Sequence, residues 1–145
     1  MSKYTASSST NKNFTSESSE VLNFLIAEIK NPEKTLSLAC RAALEAYPRE
    51  NRREIVKKDH DREGCPLFLA AKLGNVVAIE FLVTICEADL EQRGLYEVTE
   101  EGTVHFATSL WVASVVGNIS SVKCLVRLGA NINSQSDSGS SSVRR

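Results

Sequence analysis

Between positions 87 and 101 the chain carries six carboxylates, Glu87, Asp89, Glu91, Glu97, Glu100 and Glu101, against a single arginine, Arg93. Carboxylates grouped on an exposed segment offer paired acceptors to a cationic ligand, and they suit the planar fork of arginine best. Tyr96 lies inside this run and Trp111 follows it. Either ring can stack on a cation. Exposed loops are also acidic for solubility alone, and a lone tryptophan also serves as packing, so both readings stand at this point. His60 and His105 have no nucleophile motif or paired carboxylate beside them in sequence, so no catalytic residue is assigned. Cys40, Cys65, Cys86 and Cys124 are widely spaced and form no CxxC pair. They read as four buried, reduced thiols, with neither a metal nor a cofactor expected.

The composition narrows the classes further. A net charge of -1 gives no field to attract nucleic acid or an acidic membrane. No apolar run approaches the ~20 residues that span a bilayer. The first ten residues, MSKYTASSST, lack the apolar stretch of a secretory leader. A cytoplasmic protein is expected, with the nucleus as a second compartment. A length of 145 residues allows one modest core or a short run of repeats.

Which elements would carry the acids and the rings? Residues 1–20 hold ten Ser or Thr and are expected to be a disordered tail. From Val21 onward, Leu22, Leu25, Ile26 and Ile29 make one helical stripe. A second helix starts near Pro32 and aligns Leu36, Ala39, Cys40, Ala43 and Leu44 before Tyr47-Pro48 ends it. Residues 49–62 mix six basic with four acidic side chains and read as a solvated connector or an exposed helix.

Internal repetition decides the architecture. CPLFLAAKLGNVVAIEFLVTICEADL, from Cys65, aligns with TSLWVASVVGNISSVKCLVRLGANIN, from Thr108. Leu67 falls over Leu110, Ala70 over Ala113, Gly74-Asn75 over Gly117-Asn118, Ile79 over Val122 and Leu82-Val83 over Leu125-Val126. A further start, SSVR, comes 33 residues after Thr108. A period near 33 residues opening on a TPLHxA-like start is the mark of ankyrin repeats. The expected fold is therefore all-α, an ankyrin-repeat solenoid of stacked helix-turn-helix units with finger loops. Its parts are a tail (1–20), a degenerate capping repeat and connector (21–60), a repeat with an extended acidic finger (61–107), a second repeat (108–140) and the start of a truncated third (141–145). The helix pairs are expected near 66–73 with 77–87 and 109–116 with 120–128. Only two full repeats are present, so an apolar end made by Leu110, Val122, Leu125 and Val126 is expected to stay partly exposed.

The two starts lie 43 residues apart, and one extra residue near Glu87 plus a long finger at 91–107 account for the excess. Insertions of this kind go to loops, often on the binding face. With its degenerate first repeat, Pro66, Leu67, Ala70, Ala71, Gly74, Phe81 and Leu82, then Leu110, Trp111, Ala113, Ser114 and Gly117 after a long finger, the chain resembles the amino-terminal ankyrin region of the Fem-1 family. It resembles a truncated or divergent member over about residues 22–145. The resemblance implies a substrate receptor of a cullin-2 ubiquitin ligase, gripping basic, arginine-ended C-terminal degrons. It places the finger acid on Glu100, where the family usually has Asp, with Thr103 and Val104 beside it; independently of the resemblance, Glu101, Tyr96 and Trp111 are expected as further peptide-binding residues through their charge and rings. Docking on elongin and cullin would belong to a later helical region beyond Arg145. The competing expectation is a generic ankyrin scaffold with an unrelated protein partner.

Overall fold

The computed structural model describes residues 7–60, 64–98, 100, 102–133 and 137–138. In chain order these form α1 (Ser7–Ile29), α2 (Leu38–Glu45), α3 (Arg49–Lys57), α4 (Pro66–Leu73), α5 (Val76–Thr84), β1 (Arg93–Val98), β2 (Thr103–Thr108), α6 (Ser109–Val116), α7 (Ile119–Leu128) and β3 (Asp137–Ser138). The chain is mostly helical, in a form compatible with a helical repeat.

The repeated sequence gives repeated structure. Pro66 opens α4 at a position where its missing N–H costs nothing. Gly74 closes α4 in the left-handed region (φ 83, ψ 20), and Gly117 closes α6 with φ 83 and ψ 19. The residues that follow, Asn75 and Asn118, both adopt φ -85 and ψ 85. Two sequence segments that differ at most positions thus make one turn twice. Around it, α1, α4 and α6 pack side by side in one row, while α5 packs on both α4 and α7. Leu25, Ile29, Leu44, Phe68, Ile79, Leu82 and Leu125 are fully buried in the single core that this arrangement closes.

The extra residue near Glu87 has a structural meaning. Glu87 holds a positive φ of 57, where the second unit uses Gly129. A left-handed conformation costs a residue with a Cβ roughly 1–2 kcal/mol. Arg49 Nε (2.9 Å) and Arg53 (2.6 Å) pin the Glu87 carboxylate there. Over its described residues, 49–60, the connector segment therefore does more than connect. Helix α3 buries Ile55 and Val56, and Arg52 donates to the carbonyls of Tyr47, Ile85 and Glu45.

Three expectations are corrected. The segment 1–20 is not a disordered tail over its described part, because α1 begins at Ser7 and buries Ser18. The stripe of Leu22, Leu25, Ile26 and Ile29 supplies the costly nucleus, and extending an existing helix backward is cheap. Glu17 also bonds the Tyr47 hydroxyl, whose pKa is raised chiefly by burial and then by Glu17 and Glu20. Secondly, α2 starts at Leu38 rather than near Pro32, because the Ser37 hydroxyl caps it by accepting from the Cys40 N–H at 3.1 Å. Thirdly, the finger expected as a loop at 91–107 is regular over most of its length, so a small sheet accompanies the mostly helical fold. It is a β-hairpin with register Arg93↔Thr108 to Val98↔Thr103, and β3 pairs with β2 at its other edge. The start of a third repeat at 141–145 lies outside the described residues.

Candidate functional site

The hairpin positions the rings. Thr108 ends β2 and caps α6, its hydroxyl accepting from the Trp111 N–H at 3.3 Å. Trp111 therefore stands on the first turn of α6, directly beneath the strands. Side chains alternate across a strand, so Tyr96 and its cross-strand partner His105 share the face turned toward Trp111. Tyr96 meets the indole edge-on, with centroids 6.0 Å apart at 70°. His105 lies tilted over it at 5.1 Å and 35°. Thr103 sits two residues from His105 on the same face, Oγ1 3.5 Å from Nε2. The opposite face carries the exposed pair Leu95 and Phe106. At the hairpin base, Gly94 lies against Phe68, where a Cβ would come within 2.9 Å of the ring. Only glycine lets the strand approach this closely.

Of the five residues expected in the site, the structure gathers Tyr96, Thr103 and Trp111 on one surface. Glu100 stands apart from Tyr96 and Trp111, exposed in the turn that the Val98↔Thr103 rung closes. Two rungs, Glu97↔Val104 and Val98↔Thr103, separate that turn from the Tyr96↔His105 rung. At ~3.3 Å per residue this is on the order of 10 Å. Glu101 lies outside the described residues. Among the other acids of the run, Glu91 accepts from the Asn131 N–H at 2.8 Å and ties the finger base to the segment after α7. Beside Trp111, an open groove of about 260 Å³ continues over Leu110, Ser114, Val122, Val126 and Ile132.

His105 is the member of this cluster that sequence reasoning missed. It is isolated along the chain and finds its neighbours only through strand pairing. The polar–apolar alternation Thr103, Val104, His105, Phe106 directly after Gly102 was the signal. Its Nδ1 is buried and has no hydrogen-bond partner among the described residues.

The four thiols are all buried. Burial, with a smaller push from Glu28, raises Cys40 to about 11 against the opposing Arg41. Burial raises Cys86 to about 12, against the opposing Arg52. Burial likewise raises Cys65 and Cys124. At pH 7 a thiol titrating near 11 is ionised on the order of once in 10,000. Iodoacetamide at neutral pH is therefore expected to leave the native chain nearly unmodified and to label all four positions in denaturant; rapid native labelling of Cys40 or Cys86 would contradict it. Among the described residues no group of three or more His, Cys, Asp and Glu could hold a metal ion, and no helix is long and apolar enough to cross a membrane.

No family model matches the chain. It is similar to a fem-1 homolog of Drosophila melanogaster, 39% identical over 69 residues, which is 48% of this chain and 10% of that protein. The chain thus matches about a tenth of that relative's length. The partial likeness supports a Fem-1-like relationship.

Proposed function

We propose that the chain is a protein-interaction module of Fem-1 type, a short ankyrin-repeat stack that recognises arginine-ended C-terminal degrons for cullin-2 ubiquitin ligation. The reading requires no catalysis by this chain, and it places the protein in the cytoplasm or nucleus. The observation that carries it is the cluster of Tyr96 and His105 against Trp111, an aromatic surface midway along an acidic finger. The distance from that rung to Glu100 sets the form of the ligand. One arginine side chain does not serve both places, but an extended peptide covers ~3.3 Å per residue. A terminal arginine paired with Glu100 would therefore put a residue about three positions earlier on Trp111, where an apolar or planar side chain suits the rings. That same distance supports the second reading, a generic ankyrin scaffold whose acidic finger only solubilises it.

Titration of peptides ending in Arg or Ala against the wild type, Glu100→Ala and Trp111→Ala, at low and physiological salt, separates the two. A charged hydrogen bond contributes roughly 1.5–3 kcal/mol, so Glu100→Ala should weaken Arg-ended peptides about tenfold or more. Trp111→Ala should weaken Arg- and Ala-ended peptides alike. Equal affinity for the two endings, or no change on losing Glu100, leaves the scaffold reading.

A further inference from the structure

We propose that the peptide read at Glu100 and Trp111 is polarised in charge, carrying an acidic side chain about five positions before its terminal arginine that Lys72 and Lys34 hold at the C-terminal end of α4. The inference deepens the peptide-binding reading and rests on it.

Residues four apart share one face of a helix and stand about 6 Å apart along its axis. Trp111 and Val115 are such a pair on α6, and their repeat counterparts Phe68 and Lys72 are such a pair on α4, which packs beside it. The hairpin meets the first member of each pair, with Gly94 on Phe68 and with Tyr96 and His105 on Trp111. One turn further on, Val115 is 49% exposed and Lys72 half-buried. Helix α4 lies between α1 and α6, yet its Leu73 is exposed to the same 37% as the counterpart Val116 of α6. The openness of this face is thus a property of the whole row and not of its last unit.

The charge of the face changes sign along it. Glu100 stands exposed in the turn of the finger. At the other end, Lys72 lies in the last turn of α4, and Lys34 Nζ reaches the turn that follows, 3.4 Å from where a Cβ on Gly74 would stand. Among the described residues neither ammonium is paired with a carboxylate, and Glu28 instead accepts from the Ser37 N–H at 2.8 Å. A peptide whose arginine pairs with Glu100, and whose residue three positions earlier lies on Trp111, covers the further ~6 Å to Val115 with about two more residues. The flexible lysine stem spans most of the ~8–10 Å between neighbouring helix axes, so Lys72 reaches the same residue from α4. An acid there meets two ammoniums, while a basic residue there is repelled. Val115 and Val116 offer apolar surface to the residues on either side of it.

Titrations of arginine-ended peptides bearing Glu, Gln or Lys five positions before the arginine, at low and physiological salt, test this. Exposed ion pairs are weak and screened, so Glu should bind about three- to fivefold more tightly than Gln at low salt, and less so at physiological salt. Lys should bind more weakly than Gln. Lys72→Glu should reverse the order of the Glu and Lys peptides, and Lys34→Glu, at an exposed turn position, should narrow the gap between them. Lys123→Glu makes the same charge change at an exposed position of α7 and should leave the order as it is. Unchanged circular dichroism would verify that the variants fold. Moving the Glu next to the terminal arginine should remove its advantage. Equal affinity for the three peptides, or the same order with Lys72→Glu as with the wild type, would overturn this inference; a preference for terminal Arg over Ala that depends on Glu100 would still keep the peptide-binding reading. Loss of that preference, or no binding of any of these peptides, would overturn both.

Discussion

Replacing Phe68 with alanine is expected to lower stability by about 3–5 kcal/mol, the usual cost of removing a fully buried aromatic ring. Phe68 is 0% exposed, and two glycines are shaped around it. A Cβ at Gly64 would lie 3.0 Å from the ring and one at Gly94 2.9 Å from it. The ring therefore fills the space between the start of α4 and the base of the hairpin. Neither glycine has a side chain to collapse into the hole, so most of the cavity should persist. At 145 residues each kcal/mol shifts the midpoint by roughly 4 °C, so Tm should fall by about 10 °C or more. Phe68→Leu keeps much of the volume and should cost less than about 1.5 kcal/mol. Urea titrations of the three proteins check this, and a Phe68→Ala loss below ~1 kcal/mol would show that the hairpin base does not rest on this ring.

The second large effect is expected at Asn75, through a contrast with its repeat counterpart. Asn75 is fully buried. Its Oδ1 accepts from the Ala78 N–H at 3.0 Å and caps α5. Its Nδ2 donates to the carbonyls of Ile29 (3.3 Å) and Thr35 (3.4 Å), tying α5 to the end of α1 and the loop after it. Alanine would remove a cap worth ~1 kcal/mol and leave an amide and two carbonyls buried with fewer partners, for a total of about 2–3 kcal/mol. Asn118 has the same backbone angles and also reaches back one unit, donating to the Lys72 carbonyl. It is half-buried and makes no side-chain cap bond, so Asn118→Ala should cost only about 1 kcal/mol. Equal losses in denaturant titrations would mean that burial does not set the difference.

Much of this molecule follows from sequence alone. Gly74 and Gly117 adopt a positive φ that few other residues tolerate, and Pro66 lacks the N–H that a helix interior needs, so they mark helix ends. The apolar periodicity between them decides which faces turn inward, and the helices at Pro66–Leu73, Val76–Thr84, Ser109–Val116 and Ile119–Leu128 lie close to where that pattern puts them. Such features are local, and local rules reach only as far as a helical turn. The open apolar end was also legible, though its membership was not. Leu125 is buried inside its own unit, and Ile132 lines the groove together with Leu110, Val122 and Val126. What tertiary structure alone decided is long-range. The polar segment before Val21 becomes helix because Leu25, Ile26 and Ile29 find a core distant in sequence. His105 joins Tyr96 and Trp111 because strand register brings residues nine apart face to face, and the same register holds Glu100 away from the ring. A carboxylate run fixes the charge of a finger, but its position relative to a tryptophan depends on which residues pair across the hairpin, and pairing is a property of two segments rather than of either one.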